Sequence, residues 1–372
     1  MANNFIYPGD TLGIINNDVN SFNLIMEAKK NGIKVGMYTD NADNQYDSIA
    51  DFVINGSLKD ADKLIDFAKK CDVVTYNSIR TDADLVNFIS QFTRVPQGHD
   101  MLEIMNDRLI EQAFLSELNV NTLPYVTIVE LTDIYNSIDS IGYPAILKPI
   151  QKSFFNDQQL VINNQVDIAK ASIMLDRGTY ILEPYIEHEF EYTLNIVHGM
   201  KDAPKLMPLV QCRYNGNQLV SASNITNLSK AAQNEMNRIG YNIADHLNYF
   251  GAFKIKFMIN NSDTIYIKMI EPKLDIDAMI FDRCIESVTQ GHLRAICGLP
   301  TYPEVDDDTF FLRTFTQNQM DEIKRQWALK PGWQFVFYTK GENEYGVVGH
   351  ILVPTKDLNK TLEQVNNSDI WN

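Results

Sequence analysis

In the first third of the chain, short apolar runs alternate with stretches whose apolar residues recur at helical spacing. Thr11–Ile15 (TLGII) is such a run; the polar stretch 16–21 follows it, and 22–30 then repeats its apolar residues with helical period. Next come Lys34–Thr39 (KVGMYT) with Asp40 at its end, an acidic loop, a helical stretch over 59–70 and a strand over 72–76 (DVVTY). Strands that alternate with helices pair in parallel through right-handed crossovers. Residues 1–97 are therefore expected to form a Rossmann-like doubly wound parallel α/β domain. Ligands of such sheets gather at the carboxyl ends of the strands, which here are 16–21, Asp40 and 77–80.

Pro96 and Gly98 mark a connection, after which 101–119 reads as one helical stretch. Strands at 144–149 (PAILKP), 160–163, Tyr180–Pro184 (YILEP) and 191–197 are mixed with helices, the pattern of an α+β domain. A strand pair at 254–260 (KIKFMIN) and 264–270 (TIYIKMI) is joined by the turn residues Asn261, Ser262 and Asp263, and a helix over 285–297 closes this region. The expected division is 1–97, a central domain of two α+β subdomains over 98–300, and a small β-rich C-terminal domain over 301–372 with strands at 334–340 and 347–353. No repeat with a period of 20–50 residues is present, which argues against a solenoid.

At 372 residues the chain exceeds what one hydrophobic core supports, in keeping with several domains. Its 48 acidic and 32 basic side chains give a net charge of −16, a field that repels nucleic-acid backbones and anionic membranes, so neither is an expected partner. Cys71, Cys212, Cys284 and Cys297 are scattered, without a CxxC pair. With no leader-like N-terminus and no apolar run of ~18 residues, a reduced, cytoplasmic protein is expected.

The first strand-to-helix turn has no glycine between Gly13 and Gly32, so a dinucleotide fingerprint is absent. Walker, GxSxG and HExxH sequences are absent too, and the six histidines are dispersed in a way that suits surface or structural roles. What remains is Lys148 at the end of one apolar strand, Glu183 at the end of a second, and Glu191 opening a third. A lysine for phosphate and carboxylates for an adenine amine or ribose hydroxyls would suit a nucleotide cleft between small sheets. The plainer alternative is that Lys148 and Glu183 only cap strand ends.

The order of several segments resembles the ATP-grasp superfamily and, within it, the N5-carboxyaminoimidazole ribonucleotide synthetases. These segments are Val73-Val74-Thr75-Tyr76, Pro96-Gln97-Gly98 with Asn106-Asp107-Arg108-Leu109, and Gly142-Tyr143-Pro144 leading to Lys148. Glu183 with Tyr185, Glu191, Phe250-Gly251, the run from Gly291-His292 to Leu299-Pro300, Tyr338, Lys340 and Gly349-His350 complete the set. The resemblance implies ATP-dependent carboxylation of aminoimidazole ribonucleotide with bicarbonate in purine synthesis, and a homodimer. It also implies that Arg108 and Lys148 contact ATP phosphates, that Glu183, with Tyr185 beside it, lies near the adenine, that Glu191 meets the ribose and that Lys340 holds the substrate's 5′-phosphate.

Other positions depart from the family. Its two magnesium-binding glutamates correspond to Lys256 and Met269, which do not ligate Mg²⁺. Its glycine-rich phosphate loop corresponds to 152–158 (KSFFNDQ), which has no glycine, and its arginine-proline-histidine run to Lys273-Leu274-Asp275. Its polar cluster near the acceptor corresponds to Gln211-Cys212-Arg213-Tyr214. Glu271 and Asp275 are the remaining metal candidates; with Asp277 they are otherwise a solvated acidic loop. Lys254 and Lys256, which share a strand face, either offset phosphate charge without metal or are ordinary exposed strand lysines. Three readings follow: an active synthetase, a non-catalytic nucleotide- or ligand-binding regulatory relative, and an ATP-grasp ligase with a different acceptor. The joint loss of metal ligands, phosphate loop and acceptor cluster favours the second, with ATP as ligand and Mg²⁺ in doubt.

Overall fold

A computed structural model describes residues 5–15, 21–40, 48–77, 81–152, 158–260, 262–272, 274–302, 307–338 and 346–371. Among these residues the strands form three sheets. The first contains β1 (Thr11–Ile15), β2 (Lys34–Thr39), β3 (Phe52–Asn55) and β4 (Val73–Tyr76) in the order β3-β2-β1-β4, parallel throughout. β1 and β4 are apolar and buried nearly end to end because helices cover both faces of a parallel sheet. One expectation is corrected here: the acidic loop after Asp40 also contains β3. This strand is short and half-buried at the sheet edge, so it carries little apolar signal. Asp51, just before it, accepts the Val35 amide at 2.7 Å and pairs with Lys29.

The helical stretch 101–119 is likewise two helices, Asp100–Asn106 and Arg108–Glu117. Asp107 breaks it with an extended backbone and accepts the Leu109 and Ile110 amides, at 2.8 and 3.1 Å. The break also lets the Arg108 amide bond the Ile150 carbonyl, at 3.0 Å.

A second, antiparallel sheet is built from β5 (Val126–Ile128), β6 (Ala145–Pro149), β7 (Leu160–Ile162) and β8 (Tyr180–Pro184) in the order β5-β8-β6-β7. The third sheet has nine strands: β9 (Glu191–His198), β10 (Lys205–Leu206), β11 (Val210–Asn215), β12 (Gln218–Ser223), β13 (Gly251–Ile259), β14 (Ile265–Glu271), β15 (Phe310–Thr316), β16 (Gln334–Phe337) and β17 (Val347–Pro354). Its path is β14-β13-β9-β11-β12-β15-β17-β16, with β10 on β9. β12 pairs with β15 through Ser221 and Arg313, so the strands after residue 301 continue the central sheet. The architecture is the expected mixture of a parallel α/β domain and antiparallel α+β parts. No helix among the described residues is long and apolar enough to cross a membrane.

A buried hydrogen-bond network ties the first sheet to the third. His292 Nδ1 accepts the Ala252 amide at 2.9 Å, which leaves the proton on Nε2 for Thr75 Oγ1 at 3.0 Å. Thr75 donates to Gln97 Oε1, and the Gln97 amide group donates to the Tyr76 carbonyl and Tyr249 hydroxyl. Gly251, at φ +150°, passes so close that a Cβ there would lie 3.1 Å from His292 Nδ1. Burial with no charged partner pushes the His292 imidazole down to about 4. The unfolded chain binds this proton near pH 6.5 and the folded chain does not until about 4, so stability is lost as pH falls through that window. The stability advantage of the wild type over His292→Gln should therefore shrink by on the order of 3 kcal/mol between pH 6.5 and 4 in chemical denaturation. Asp282, which burial pushes up to about 7, has the opposite pH dependence but is present in both proteins and cancels in the difference.

Candidate nucleotide cleft

Strand alternation divides β9 into two rows. Tyr192, Leu194 and Ile196 enter the core beneath the helix Lys230–His246, while Glu191, Thr193 and Asn195 lie on the other face. Lys254 and Lys256 of β13 stand opposite Asn195 and Thr193 on one side and opposite Glu271 and Met269 of β14 on the other. These residues share one face of the third sheet, the floor of the candidate cleft.

Lys254 is fully buried, with its Nζ 3.1 Å from Asp277, 3.5 Å from Glu271 and 3.6 Å from Asp275. Burial alone would lower its proton affinity, but Asp277, Asp275 and Glu271 outweigh that and hold it above the ordinary lysine range. Lys256 lies 3.5 Å from Glu271 and 5.2 Å from the centroid of the Tyr214 ring. Asp275 caps the 3₁₀ helix Ile276–Phe281 that carries Asp277, and the preceding Leu274 amide donates to Asn77 Oδ1 at 2.8 Å. The carboxyl end of β4, a ligand edge in the sequence reading, thus anchors the acidic segment. Two expectations are corrected: Lys254 and Lys256 are not ordinary exposed strand lysines, and Glu271 and Asp277 are not a solvated loop.

The smaller sheet and the segments beside it carry further charge pairs. β6 and β8 align Ile146 with Glu183 and Lys148 with Ile181, which puts Lys148 diagonally across from Glu183 on one face, where the two form an ion pair. Arg108 Nη1 donates to the Pro149 carbonyl at 2.6 Å, and Lys152 pairs with the buried Glu111 at 2.6 Å. Tyr185 bonds the Pro144 carbonyl through its amide and keeps a partly exposed ring. Glu191 is buried, pairs with Lys268 and lies 3.5 Å from His188 Nε2. Burial alone would raise its carboxyl, yet the His188 hydrogen bond and the Lys268 charge bring it down to about 2.

Arg108, Lys148, Glu183 and Glu191 thus all carry polar partners here, and Glu271 and Asp275 meet on Lys254. Lys340, Lys273 and 153–157 lie outside the described residues, as do 16–20 and 78–80. Sequence reasoning missed Lys268, His188 and Asn195. A bulge in the β13–β14 pairing leaves Lys268 without a cross-strand partner and re-aims it, which strict alternation does not foresee. Asn195 continues the polar row that Glu191 and Thr193 begin along β9, a signal that was available.

Magnesium takes oxygen ligands at ~2.1 Å in near-octahedral array. Of the two positions matched to metal glutamates, one carries an ammonium and the other a thioether. Glu271, Asp275 and Asp277 converge on the Lys254 ammonium, so this donor set does not fit the metal.

The Ribonucleotide synthetase preATP-grasp domain family matches residues 10–106, and the ATP-grasp domain family matches residues 113–274. The chain carries a preATP-grasp domain followed by an ATP-grasp domain. Over 367 residues, 97% of each chain, it is 24% identical to N5-carboxyaminoimidazole ribonucleotide synthase of Staphylococcus aureus strain MSSA476. The crystal structure of N5-carboxyaminoimidazole synthetase from Staphylococcus aureus complexed with ADP superposes with a TM-score of 0.89 at 23% identity, covering 98% of each chain. That of the synthase from Aspergillus clavatus with ADP and 5-aminoimidazole ribonucleotide gives 0.84 at 18% identity, again over 98% of each. At such identities the structural likeness is one of fold.

Removing the cation that three carboxylates share should be costly. A Lys254→Met variant is expected to lose roughly 3–5 kcal/mol of stability in urea denaturation, whereas Arg238→Met, on an exposed helix face with only a local Glu235 partner, should lose no more than about 1 kcal/mol.

Proposed function

We propose that this chain is a nucleotide-binding ATP-grasp protein on the N5-carboxyaminoimidazole ribonucleotide synthetase frame, in which phosphoryl transfer from ATP is impaired or lost. One observation carries the reading: at the two positions matched to carboxylates that would hold a metal on the phosphates, this chain has Lys256 and Met269, paired across β13 and β14, with the buried Lys254 beside them. Without that metal the charge developing in the transition state loses several kcal/mol of stabilisation. The two solved structures named above contain ADP, in one case together with 5-aminoimidazole ribonucleotide. By analogy, Glu183 and Tyr185 border the adenine, Glu191 accepts from the ribose hydroxyls, Arg108 and Lys148 meet the phosphates, and Lys340 meets a 5′-phosphate on a second ligand. The Lys148–Glu183 and Lys268–Glu191 pairs support this division, since each sets a cation beside a carboxylate that a nucleotide would engage separately. The reading also includes a cytoplasmic location and a homodimer.

The test is ADP release from ATP with Mg²⁺, bicarbonate and aminoimidazole ribonucleotide, beside the same mixture without the ribonucleotide. No ribonucleotide-dependent turnover is expected, while ADP binding persists in calorimetry; turnover of about 1 s⁻¹ or more would contradict the proposal. A Glu191→Gln variant should weaken ADP binding by about tenfold, the loss of one charge-assisted hydrogen bond. Unchanged affinity would remove Glu191 from the site.

A further inference from the structure

We propose, building on the nucleotide reading above, that Lys254 and Lys256 are the resident cations of this cleft and that nucleotide binds to it without a divalent metal. Lys254 stands where the floor carboxylates converge, 3.1–3.6 Å from Asp277, Glu271 and Asp275, as a cation stands within its ligands. It is covalently attached and completely buried, so a soluble ion cannot displace it. A metal entering here would have to take Glu271 from two ammonium groups at once and would be repelled by both.

Lys256 can meet the ligand. Its partner is Glu271, its ammonium lies above the Tyr214 ring, and an ammonium has three donors to distribute. Lys254 meanwhile offsets the acidic segment, whose charge would otherwise oppose an incoming phosphate. A second observation marks the floor as a place for a polar ligand. Asn195, in register with Lys254 on the adjacent strand, is fully buried, and neither its amide nitrogen nor its amide oxygen has a hydrogen-bond partner. Asp277 Oδ2, also buried, has no hydrogen-bond partner either. Polar atoms left this way cost free energy until water or a ligand fills the space.

The experiment is calorimetric binding of ADP to the full chain in millimolar Mg²⁺ and again in EDTA, with wild type and the double variant Lys256→Glu/Met269→Glu, which rebuilds two carboxylates. For the wild type the two affinities should agree within about threefold. In the double variant, binding in EDTA should fall about tenfold or more and be recovered by Mg²⁺. Wild-type binding that is strong in Mg²⁺ and lost in EDTA would overturn the metal-free inference while leaving the nucleotide reading intact. Absence of ADP binding in both buffers, from protein with a cooperative unfolding transition, would overturn the nucleotide reading and this inference with it. A double variant that binds equally well in both buffers would remove Lys256 from the phosphate end.

Discussion

An ammonium group sealed from water is the constraint on which this cleft depends. Taking the Lys254 charge out of solvent costs several kcal/mol unless oppositely charged groups close around it. Those groups come from three places: Glu271 at the end of β14, Asp275 at the cap of a 3₁₀ helix, and Asp277 within it. Satisfying one lysine therefore requires the chain after β14 to fold back over β13. The same segment is held through Leu274 by Asn77 at the end of β4. One buried charge thus fixes the acidic segment against both the antiparallel floor and the N-terminal parallel sheet.

The remaining charges follow a common pattern. Lys148 with Glu183, Lys152 with Glu111 and Lys268 with Glu191 pair lysine with carboxylate across strands or between subdomains. In a chain with a net charge of −16, such pairing keeps the cleft from becoming a uniformly anionic trough that would reject phosphates. On the proposed reading, binding is an exchange in which a ligand phosphate takes the place of Glu183 beside Lys148. The fold that carries these pairs is shared with proteins only 18–24% identical, which fits the general rule that packing outlasts site chemistry.

Much of the frame was legible in the sequence. Alternating apolar runs and helical stretches gave the parallel domain, and Lys148 and Glu183 stand at the strand ends where the sequence puts them, although their ion pair was not foreseen. The losses have physical causes. β3 is a short edge strand with half-buried side chains, so its apolar signal is weak. The helix break at Asp107 depends on a carboxylate that also accepts from Gln151, 44 residues away. Lys254 reads as an ordinary strand lysine because the partner that makes its burial tolerable, Asp277, is 23 residues on and beyond a turn. Lys268 was missed because a bulge breaks the alternation on which strand reading rests. Local pattern gives elements and faces, whereas burial of charge is decided by partners that only the assembled fold brings near.

The most direct measurement of the central claim is a crystal structure of the full chain grown with ADP and Mn²⁺, with anomalous diffraction recorded for the metal. The account predicts ADP in the cleft, its phosphates beside Lys256, and no anomalous peak at the floor. An ordered Mn²⁺ bridging the ADP phosphates to Glu271 or Asp275, with Lys254 drawn away from them, would contradict it.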